Sequence, residues 1–250
     1  MVAHKQQRIP NRTIARLSLY RRLLNRLLGE NTQSVYSHEL AAMAGVTAAQ
    51  VRRDLMVVGY QGSPTRGYDV RELLASIGRL LDAPEREGIA LVGVGNLGRA
   101  IMAYFSGRRP KLSIVAGFDN DPGKVGRMIH GCPCYDVREI ADVVRRLKIR
   151  SAIIAVPASE AQSVAETLIH TGVRGLLNFA PVRLRVQPEV YVEDMDIAVS
   201  LEKVAYFSRQ SATVRERQPE ARVTVVAHTA KRAAVGQEEP PSTSHAASKA

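Results

Sequence analysis

The sequence predicts an α/β protein in which a small helical domain precedes a doubly wound parallel sheet. Up to about residue 81, apolar residues recur at helical spacing, whereas beyond Gly88 short apolar runs alternate with helical segments. Such an alternation is typical of a parallel sheet covered by helices. The polar linker Asp82–Gly88 contains a proline, so we place the boundary there, between a domain of residues 1–83 and one of residues 84–193.

Two helices are expected first. Thr13–Leu28 carries its apolar residues on one face, and Gly29 ends it. Ser37 can cap a second, shorter helix that runs to about Ala44, where Gly45 permits the left-handed turn that ends the helix.

A third helix, to about Val58, should begin at a capping box in which the Thr47 hydroxyl and the Gln50 amide each bind the other's backbone N–H. Its inward face leaves Gln50, Arg52 and Arg53 exposed. Two short helices joined through a glycine, the second basic on its exposed face, indicate a DNA-binding helix-turn-helix. From this pattern alone, a generic hairpin of two helices is an equal alternative.

The residues that follow favour a winged helix-turn-helix. Gln61–Tyr68 is typical of a hairpin-like turn with Arg66 at its tip, and Val70–Leu81 is a further amphipathic helix. A basic wing of this kind contacts the DNA backbone or the minor groove beside the recognition helix. We therefore expect DNA contacts from the recognition helix and the wing, through Thr47, Gln50, Arg52, Arg53, Arg66 and Tyr68.

The charge distribution agrees with a nucleic-acid partner for the first domain. Residues 1–83 hold 12 Lys and Arg against 6 Asp and Glu, whereas residues 84–208 hold 16 against 14. An excess of arginine on a small domain is the electrostatic footprint of a phosphate-backbone partner. A solvated cationic surface without a specific partner is the alternative that charge alone leaves open.

The second domain begins with a dinucleotide-binding fingerprint. A strand, Ile89–Val94, runs into Gly93-Val94-Gly95-Asn96-Leu97-Gly98, and the next strand, Leu112–Phe118, ends on Asp119. The three glycines allow a tight turn, close approach of the backbone to a pyrophosphate, and close helix–strand packing. N–H groups at the helix start would hold the phosphates, and the carboxylate would bind the adenosine ribose. The alternative is an ordinary turn that binds nothing.

Asp119 also favours NAD(H) over NADP(H), because a carboxylate at this strand end repels a 2′-phosphate that an arginine would bind. The residues after it offer Lys124 but no arginine. Further strands and helices complete a Rossmann-type sheet: strands at Ser151–Val156 and Arg174–Asn178, and helices near Leu97–Ser106, Asp136–Leu147 and Ser159–Thr171.

A last amphipathic helix, Asp194–Phe207, has no strand after it, and residues 210–250 lack a periodic apolar face, so we expect a disordered tail there. Met1–Pro10 is polar and basic, and no run of eighteen apolar residues occurs, so we expect a cytosolic protein without a membrane partner.

Two cysteines, Cys132 and Cys134, are the only ones in the chain. With His130 they would supply at most three metal ligands bunched within five residues, whereas structural zinc normally needs four from separated pairs. We therefore expect two reduced thiols and no metal site.

Three sequence stretches, in order and at compatible spacing, resemble the redox-sensing transcriptional repressors called Rex. They are Val46–Leu55 in the recognition helix, Phe118–Gly126 after the second strand, and Leu177–Val182. The resemblance covers about residues 10–209. It implies a homodimer that binds palindromic operator DNA and is released when NADH rises relative to NAD⁺, with the helix of residues 194–209 exchanged between subunits.

The resemblance also implies site residues. Tyr104 matches a family tyrosine near the nicotinamide, and Asp196 and Arg22 match positions that pair across the dimer. Our hypothesis is that Asp196 engages Tyr104 with NAD⁺ and the partner's Arg22 with NADH; core packing of Tyr104 and a solvated Arg22 are the alternative. Together the fingerprint, the strand ends and the family positions give the expected cofactor contacts: Gly93, Val94, Gly95, Asn96, Leu97, Gly98, Tyr104, Asp119, Lys124, Val156, Pro157, Ala180 and Pro181.

Two departures from the family pattern bear on the switch. The wing, Gln61–Tyr68, is shorter than the common glycine-rich form, which affects its DNA contacts. Ile197 stands beside Asp196 where the family often has an aromatic residue, and an isoleucine cannot stack on a nicotinamide ring.

Two other function classes compete with a repressor. A small NAD-dependent dehydrogenase would need an acid/base group beside the nicotinamide, and no predicted strand end carries a His–Asp or Lys–Tyr pair, so we expect no catalytic residue. A CoA-binding module is the second, but Asp119 favours a free ribose diol, which CoA lacks because of its 3′-phosphate.

Overall fold

The computed structural model describes residues 9–107 and 111–216, and the side chains of these up to residue 210. One compact unit ends at Met195 and a second begins at Asp196. In the described part of the chain, no helix is both long and apolar enough to cross a bilayer.

The first part of the chain folds into four helices and a two-stranded antiparallel sheet. The elements are α1 Asn11–Gly29, β1 Ser34–Val35, α2 Ser37–Ala44, α3 Ala48–Val57, β2 Tyr68–Asp69 and α4 Val70–Leu81. Leu17, Leu24, Leu55 and Leu73 are fully or almost fully buried between the helices. The predicted winged helix-turn-helix is thus confirmed, with Gly45 in the left-handed conformation after α2.

Two predicted caps are wrong in detail. Tyr36, not Ser37, precedes α2, and its backbone N–H donates to the Glu39 carboxylate at 2.7 Å. Thr47 does cap α3, accepting from the Gln50 backbone N–H at 3.2 Å, but the Gln50 amide does not return the bond. Its side chain binds Asp54 and Arg53 instead, because hydrogen bonds to charged groups are stronger than the one it would make to the backbone.

The second part is a parallel sheet with helices on both faces. Its elements are β3 Glu87–Val92, α5 Asn96–Phe105, β4 Leu112–Asp119, β5 Met128–Ile129, β6 Cys132–Asp136, a 3-10 helix Val137–Glu139, α6 Ile140–Arg146, β7 Ser151–Ile154, α7 Ala158–His170, β8 Gly175–Asn178 and β9 Tyr191–Asp194. The strand order is β5-β6-β4-β3-β7-β8-β9, and every neighbouring pair is parallel except β5–β6. The predicted doubly wound sheet is confirmed.

The order of the strands positions the site. From β3 the chain continues to β4 on one side and later to β7 on the other, and a ligand crevice opens where the strand order reverses in this way. Alternate residues of β3 are buried on both faces, Ala90 and Val92 on the side of α6 and α7, and Ile89 and Leu91 on the side of α5.

Three strands of this sheet, β5, β6 and β9, are absent from the prediction. β6 reads Cys-Pro-Cys-Tyr-Asp, which contains a proline and no β-branched residue, and β9 is half acidic. Their pairing with β4 and β8 supplies what local propensity lacks.

The last helix, α8, spans Ile197–Glu216. It begins later than the predicted Asp194, because Asp194 pairs with β8 as the end of β9, and it passes the predicted end at Phe207. The remainder of the expected disordered tail, residues 217–250, lies outside the described residues. Ile197, Leu201 and Val204 on this helix each expose more than 60% of their surface.

Candidate functional site

A crevice of about 420 Å³ opens at the carboxyl ends of β3, β4 and β7. Six predicted cofactor residues lie in its walls, namely Gly93, Gly95, Asp119, Lys124, Val156 and Pro157. The other lining residues are Val92, Asn120, Val137, Arg138, Ile140, Ala155, Glu160, Ser163, Val164 and Thr167.

Each of the three fingerprint positions is occupied by glycine for a different geometric reason. Gly93 has a φ of 96°, and a side chain there would collide with the carbonyl oxygen of Ala155 on β7's continuation. A side chain at Gly98 would collide with the carbonyl oxygen of Gly93. At Gly95, by contrast, a Cβ would meet open space. Local packing therefore explains two glycines, and the third leaves room for a ligand to approach the backbone.

The start of α5 faces this space. No described side chain caps the helix at Gly95, and the first intrahelical bond shown runs from the Arg99 N–H to the Gly95 carbonyl. The N–H groups of the first turn carry the positive end of the helix dipole, so they suit a phosphate. The residues present fit a pyrophosphate held by backbone groups.

Asp119 joins the end of β4 to the fingerprint loop. It is 7% exposed, and its carboxylate accepts from the Val94 N–H at 2.8 Å and from the Asp121 N–H at 2.9 Å. Lys124 Nζ lies 3.2 Å from Asp119 Oδ2 and 3.4 Å from Asp121 Oδ2. The hydrogen bond to Asp119 raises the pKa of Lys124. Asp119 thus fixes the loop while lining the crevice, and its two oxygens keep some accepting capacity.

Seven expected cofactor residues are not in the walls of this crevice: Val94, Asn96, Leu97, Gly98, Tyr104, Ala180 and Pro181. Val94 contributes to the site only through its backbone N–H, which donates to Asp119, since its side chain is fully buried. Asn178 is buried and organises the turn before Pro181, because its amide accepts from the Ala180 N–H at 3.0 Å and donates to the Val182 carbonyl at 2.8 Å.

Arg138, Glu160 and Thr167 are crevice residues that the sequence reasoning missed. Arg138 follows β6, a strand that the pattern did not predict, so nothing placed it at the same sheet edge as Asp119. Glu160 and Thr167 lie on α7 at helical spacing, and only the packing of that helix against β7 brings them to the crevice.

A second polar site lies under the recognition helix α3. Asp54 is 2% exposed and accepts from Arg16 Nε at 2.6 Å and Nη2 at 2.8 Å, and from the Tyr20 hydroxyl at 2.9 Å. On the outer side, Gln50 Nε2 donates to Asp54 at 2.9 Å, and Arg53 Nη2 donates to Gln50 Oε1 at 2.9 Å. A continuous chain of hydrogen bonds therefore runs from α1 to the exposed face of α3.

The electrostatics of Asp54 follow from these contacts. Burial by itself raises the pKa of the carboxyl, but hydrogen bonds from Arg16, Gln50 and Tyr20 outweigh it and hold that pKa below its ordinary value. Asp54 lies one turn after Val51, on the inward stripe of α3. A charged residue on an apolar stripe was the sequence signal that could have found this network.

The wing is a tight turn in which Ser63 and Gly67 exchange two backbone hydrogen bonds of 2.8 Å. The Tyr36 hydroxyl donates to the Thr65 carbonyl at 2.8 Å and so ties the wing to the start of α2. Arg66 is exposed at the turn, as predicted, whereas Tyr68 is half-buried and its ring lies 6.1 Å from that of Tyr60.

The remaining predicted DNA and switch residues are exposed. Arg52 Nη1 donates to the Ser37 hydroxyl at 3.2 Å, which draws it toward α2. Arg22 is exposed on α1, and Tyr104 is 60% exposed on α5, which is incompatible with core packing. Asp196 caps α8, accepting from the Val199 N–H at 2.9 Å.

The two cysteines lie two residues apart on β6 and both are buried. Burial raises the pKa of Cys132 to about 11 and also raises that of Cys134. At neutral pH both thiols are therefore protonated and of low reactivity.

Comparison with known proteins gives matches in both parts of the chain. Residues 8–55 match a family described as "Putative DNA-binding protein N-terminus", and residues 85–182 match one described as a CoA binding domain. The chain is 41% identical to the redox-sensing transcriptional repressor Rex of Chloroflexus aurantiacus (strain J-10-fl), over 79% of this chain and 93% of the relative.

Solved structures agree. RSP, a Rex-family repressor, in complex with β-NAD⁺ and operator DNA is 31% identical with a TM-score of 0.75, over 85% of this chain and 98% of that one. RSP in complex with β-NADH is 30% identical with a TM-score of 0.75, over 85% of this chain and all of that one.

Proposed function

The chain belongs to the Rex family of redox-sensing transcriptional repressors, and we propose that it represses transcription by binding operator DNA as a homodimer. In this proposal NADH releases the dimer from DNA and NAD⁺ does not. The main support for this proposal is that one chain contains both a basic recognition helix and a crevice at the dinucleotide fingerprint. The fold is similar to that of RSP, which was solved in complex with NAD⁺ and operator DNA and in complex with NADH.

The DNA-binding part of the proposal depends on α3 and the wing. Arg53 is exposed on the recognition helix and donates to Gln50, which is half-buried rather than exposed as predicted, while Arg66 stands at the wing turn. Arginine and glutamine read base edges in the major groove through paired hydrogen bonds, and a wing arginine suits the backbone or the minor groove. The excess of basic residues in 1–83 adds attraction to phosphates.

The cofactor part depends on the crevice. The N–H groups at the start of α5 would bind the pyrophosphate, and the open space at Gly95 would let it approach the backbone. Asp119 would bind the adenosine ribose. NAD⁺ and NADH differ in charge and ring planarity, so the bound cofactor supplies a signal. We propose that this protein has no catalytic residue, and that it acts in the cytoplasm.

The dimer would form through α8. Ile197, Leu201, Val204 and Phe207 are all more than 60% exposed on this helix, which is more apolar surface than a helix retains without a partner. A second copy of the chain that exchanges the helix would cover it, as the family resemblance implies.

The switch would use three exposed residues. Asp196 would engage Tyr104 in the DNA-binding state and the partner's Arg22 in the released state. Because coupling between two ligands is reciprocal, NADH must bind less tightly to the DNA complex than to the free dimer. Ile197 beside Asp196 offers no ring to stack, so the discrimination between NAD⁺ and NADH would fall on Tyr104 and Asp196.

The decisive experiment titrates the operator complex with NADH at fixed NAD⁺. We expect NADH to release operator DNA from the wild type. Arg22→Ala loses the pair of the released state and should need more NADH, whereas Tyr104→Phe loses the contact of the DNA-binding state and should need less. Asp196→Ala loses both contacts, so its release should also shift away from that of the wild type. Arg26→Ala, on the same helix α1, is the matched control. If NADH leaves the wild-type complex intact, the proposed function is wrong, and if all three variants release DNA as the wild type does, only the relay is wrong.

A CoA ligand is the second candidate, favoured by the family match of residues 85–182. The buried Asp119 argues against it, because the 3′-phosphate of CoA would approach a carboxylate. Adding acetyl-CoA to the same titration separates the two: it should neither stabilise the protein nor release operator DNA.

A further inference from the structure

Two cationic side chains are found among the described residues that line the crevice, Lys124 and Arg138. Both stand at the end where Asp119 would bind the adenosine ribose, which is where a 2′-phosphate of NADP(H) would lie. A free cation at this position normally favours the phosphorylated cofactor. The presence of an arginine therefore requires an explanation in a crevice that we assign to NAD(H).

Each of these cations is already held by carboxylates. Lys124 lies between Asp119 and Asp121, at 3.2 and 3.4 Å. Arg138 makes a two-pronged contact with Asp136, through Nε at 2.9 Å and Nη2 at 2.6 Å. Such paired geometry is the strongest form of an arginine–carboxylate contact.

The backbone fixes Asp136 in this position. It is the last residue of β6 and is in register with Asp119 at the end of β4, so the two carboxylates occupy adjacent strand ends. Asp136 also begins the 3-10 helix, accepting from the Arg138 N–H at 2.8 Å, while its own N–H donates to Glu139 at 3.0 Å. The Arg138 side chain, although exposed, is thus drawn back along its own turn.

We propose that Asp136 is a second specificity-determining residue, which excludes NADP(H) by pairing with Arg138 at the strand end beside Asp119. This inference rests on the proposed binding of NAD(H). Asp119 repels the 2′-phosphate directly, whereas Asp136 withdraws the arginine that would otherwise compensate for that repulsion. The contact with Arg138 also lowers the pKa of Asp136 to about 2, so the carboxylate is charged throughout the physiological range.

Asp136→Asn tests the proposal, because asparagine caps a helix as well as aspartate does but does not hold a guanidinium through two charged oxygens. We expect the affinity for NADPH to rise roughly fivefold, a factor typical of one exposed ion pair, while the affinity for NADH changes less than twofold. The double variant Asp136→Asn/Arg138→Gln should lose the gain. Asp142→Asn removes the same charge from the exposed start of α6, outside the crevice, and should change neither affinity.

Arg138→Gln alone provides a test that leaves Asp136 untouched. Since Arg138 is already occupied in the wild type and its removal uncovers the Asp136 carboxylate, this variant should bind NADPH no more tightly than the wild type. A gain of NADPH affinity in Arg138→Gln, no gain in Asp136→Asn, or a gain that survives in the double variant would each overturn the inference. Failure of the wild type to bind NADH would instead overturn the proposed function.

Discussion

Asp54 and Asp119 are the two buried acidic residues in the described part of the chain, and they solve the same problem differently. Asp54 is neutralised by side chains, because Arg16 and the Tyr20 hydroxyl reach it from another helix. Asp119 accepts chiefly from backbone N–H groups beside it in space, and its cation, Lys124, is shared with a second carboxylate.

The two sets of hydrogen-bond partners indicate a structural role for Asp54 and a ligand-binding role for Asp119. A carboxylate that ties two helices together through side chains supports the packing of the whole winged domain. A carboxylate bound mainly to backbone N–H groups stiffens one loop and retains a face toward the crevice. Removal of Asp54 should therefore affect folding first, and removal of Asp119 should affect the cofactor first.

The largest effect is expected for Asp54→Ala. It leaves the Arg16 guanidinium, whose side chain is 22% exposed, and the buried Tyr20 hydroxyl without their acceptor, and should lower the free energy of unfolding by about 3 kcal/mol. Urea denaturation measures this loss. Glu30→Ala breaks the exposed pair with Arg26 and should cost less than about 0.5 kcal/mol. A similar small loss in both variants would show that Asp54 is not structural.

Asp119→Ala should act on the cofactor. Loss of its charge-assisted hydrogen bonds should weaken NADH binding by about 1.5–3 kcal/mol, measured by calorimetry, with a smaller loss of stability than Asp54→Ala. Val94 would lose its hydrogen-bond acceptor, so the fingerprint loop should also exchange its amide hydrogens faster. Equal binding of NADPH and NADH by the wild type would contradict the ribose role.

Arg53→Ala tests the outer end of the Asp54 network. An arginine that reads a base should cost about 1–3 kcal/mol of operator affinity and relax specificity, whereas one that contacts phosphate should weaken all sequences alike. Fluorescence anisotropy with operator and random duplexes distinguishes the two. Unchanged affinity for both duplexes would remove Arg53 from the interface, and stability should not change because the side chain is exposed.

The smallest expected effect is the loss of the stability contributed by Asp54 at acidic pH. The pKa of Asp54 is lowered in the folded protein, so the unfolded chain takes up its proton more readily. The stabilisation from this carboxylate is complete above its unfolded pKa of about 4 and is lost as pH falls through the folded pKa. The stability difference between wild type and Asp54→Asn should therefore shrink below pH 4, as urea denaturation at pH 7 and pH 3 would reveal. A constant difference would mean that charge plays no part.

Much of the fold follows from local sequence. The periodicity of Val70–Leu81 predicts α4 with its observed bounds. The Thr47 cap and the Gly45 turn each depend on a hydrogen bond to a residue three or four positions away in the chain. The fingerprint also depends mainly on short-range contacts. Gly98 must be small because it packs against Gly93 in the same strand–turn–helix unit, and Gly93 because it packs against the neighbouring strand. Local patterns fail at β6 and β9, where pairing with another strand overrides weak propensity.

The sequence by itself thus determines the α/β fold class, the recognition helix and the nucleotide fingerprint, since each depends on spacing within a short segment. The tertiary structure alone brings Arg16 to Asp54, 38 residues apart, and places Arg138 beside the Asp119 crevice. Contacts of this kind depend on how helices and strands pack, and packing at long range leaves no periodic trace in the chain. The Arg16–Asp54 contact beneath α3 and the position of Arg138 at the crevice therefore become visible only in the folded protein.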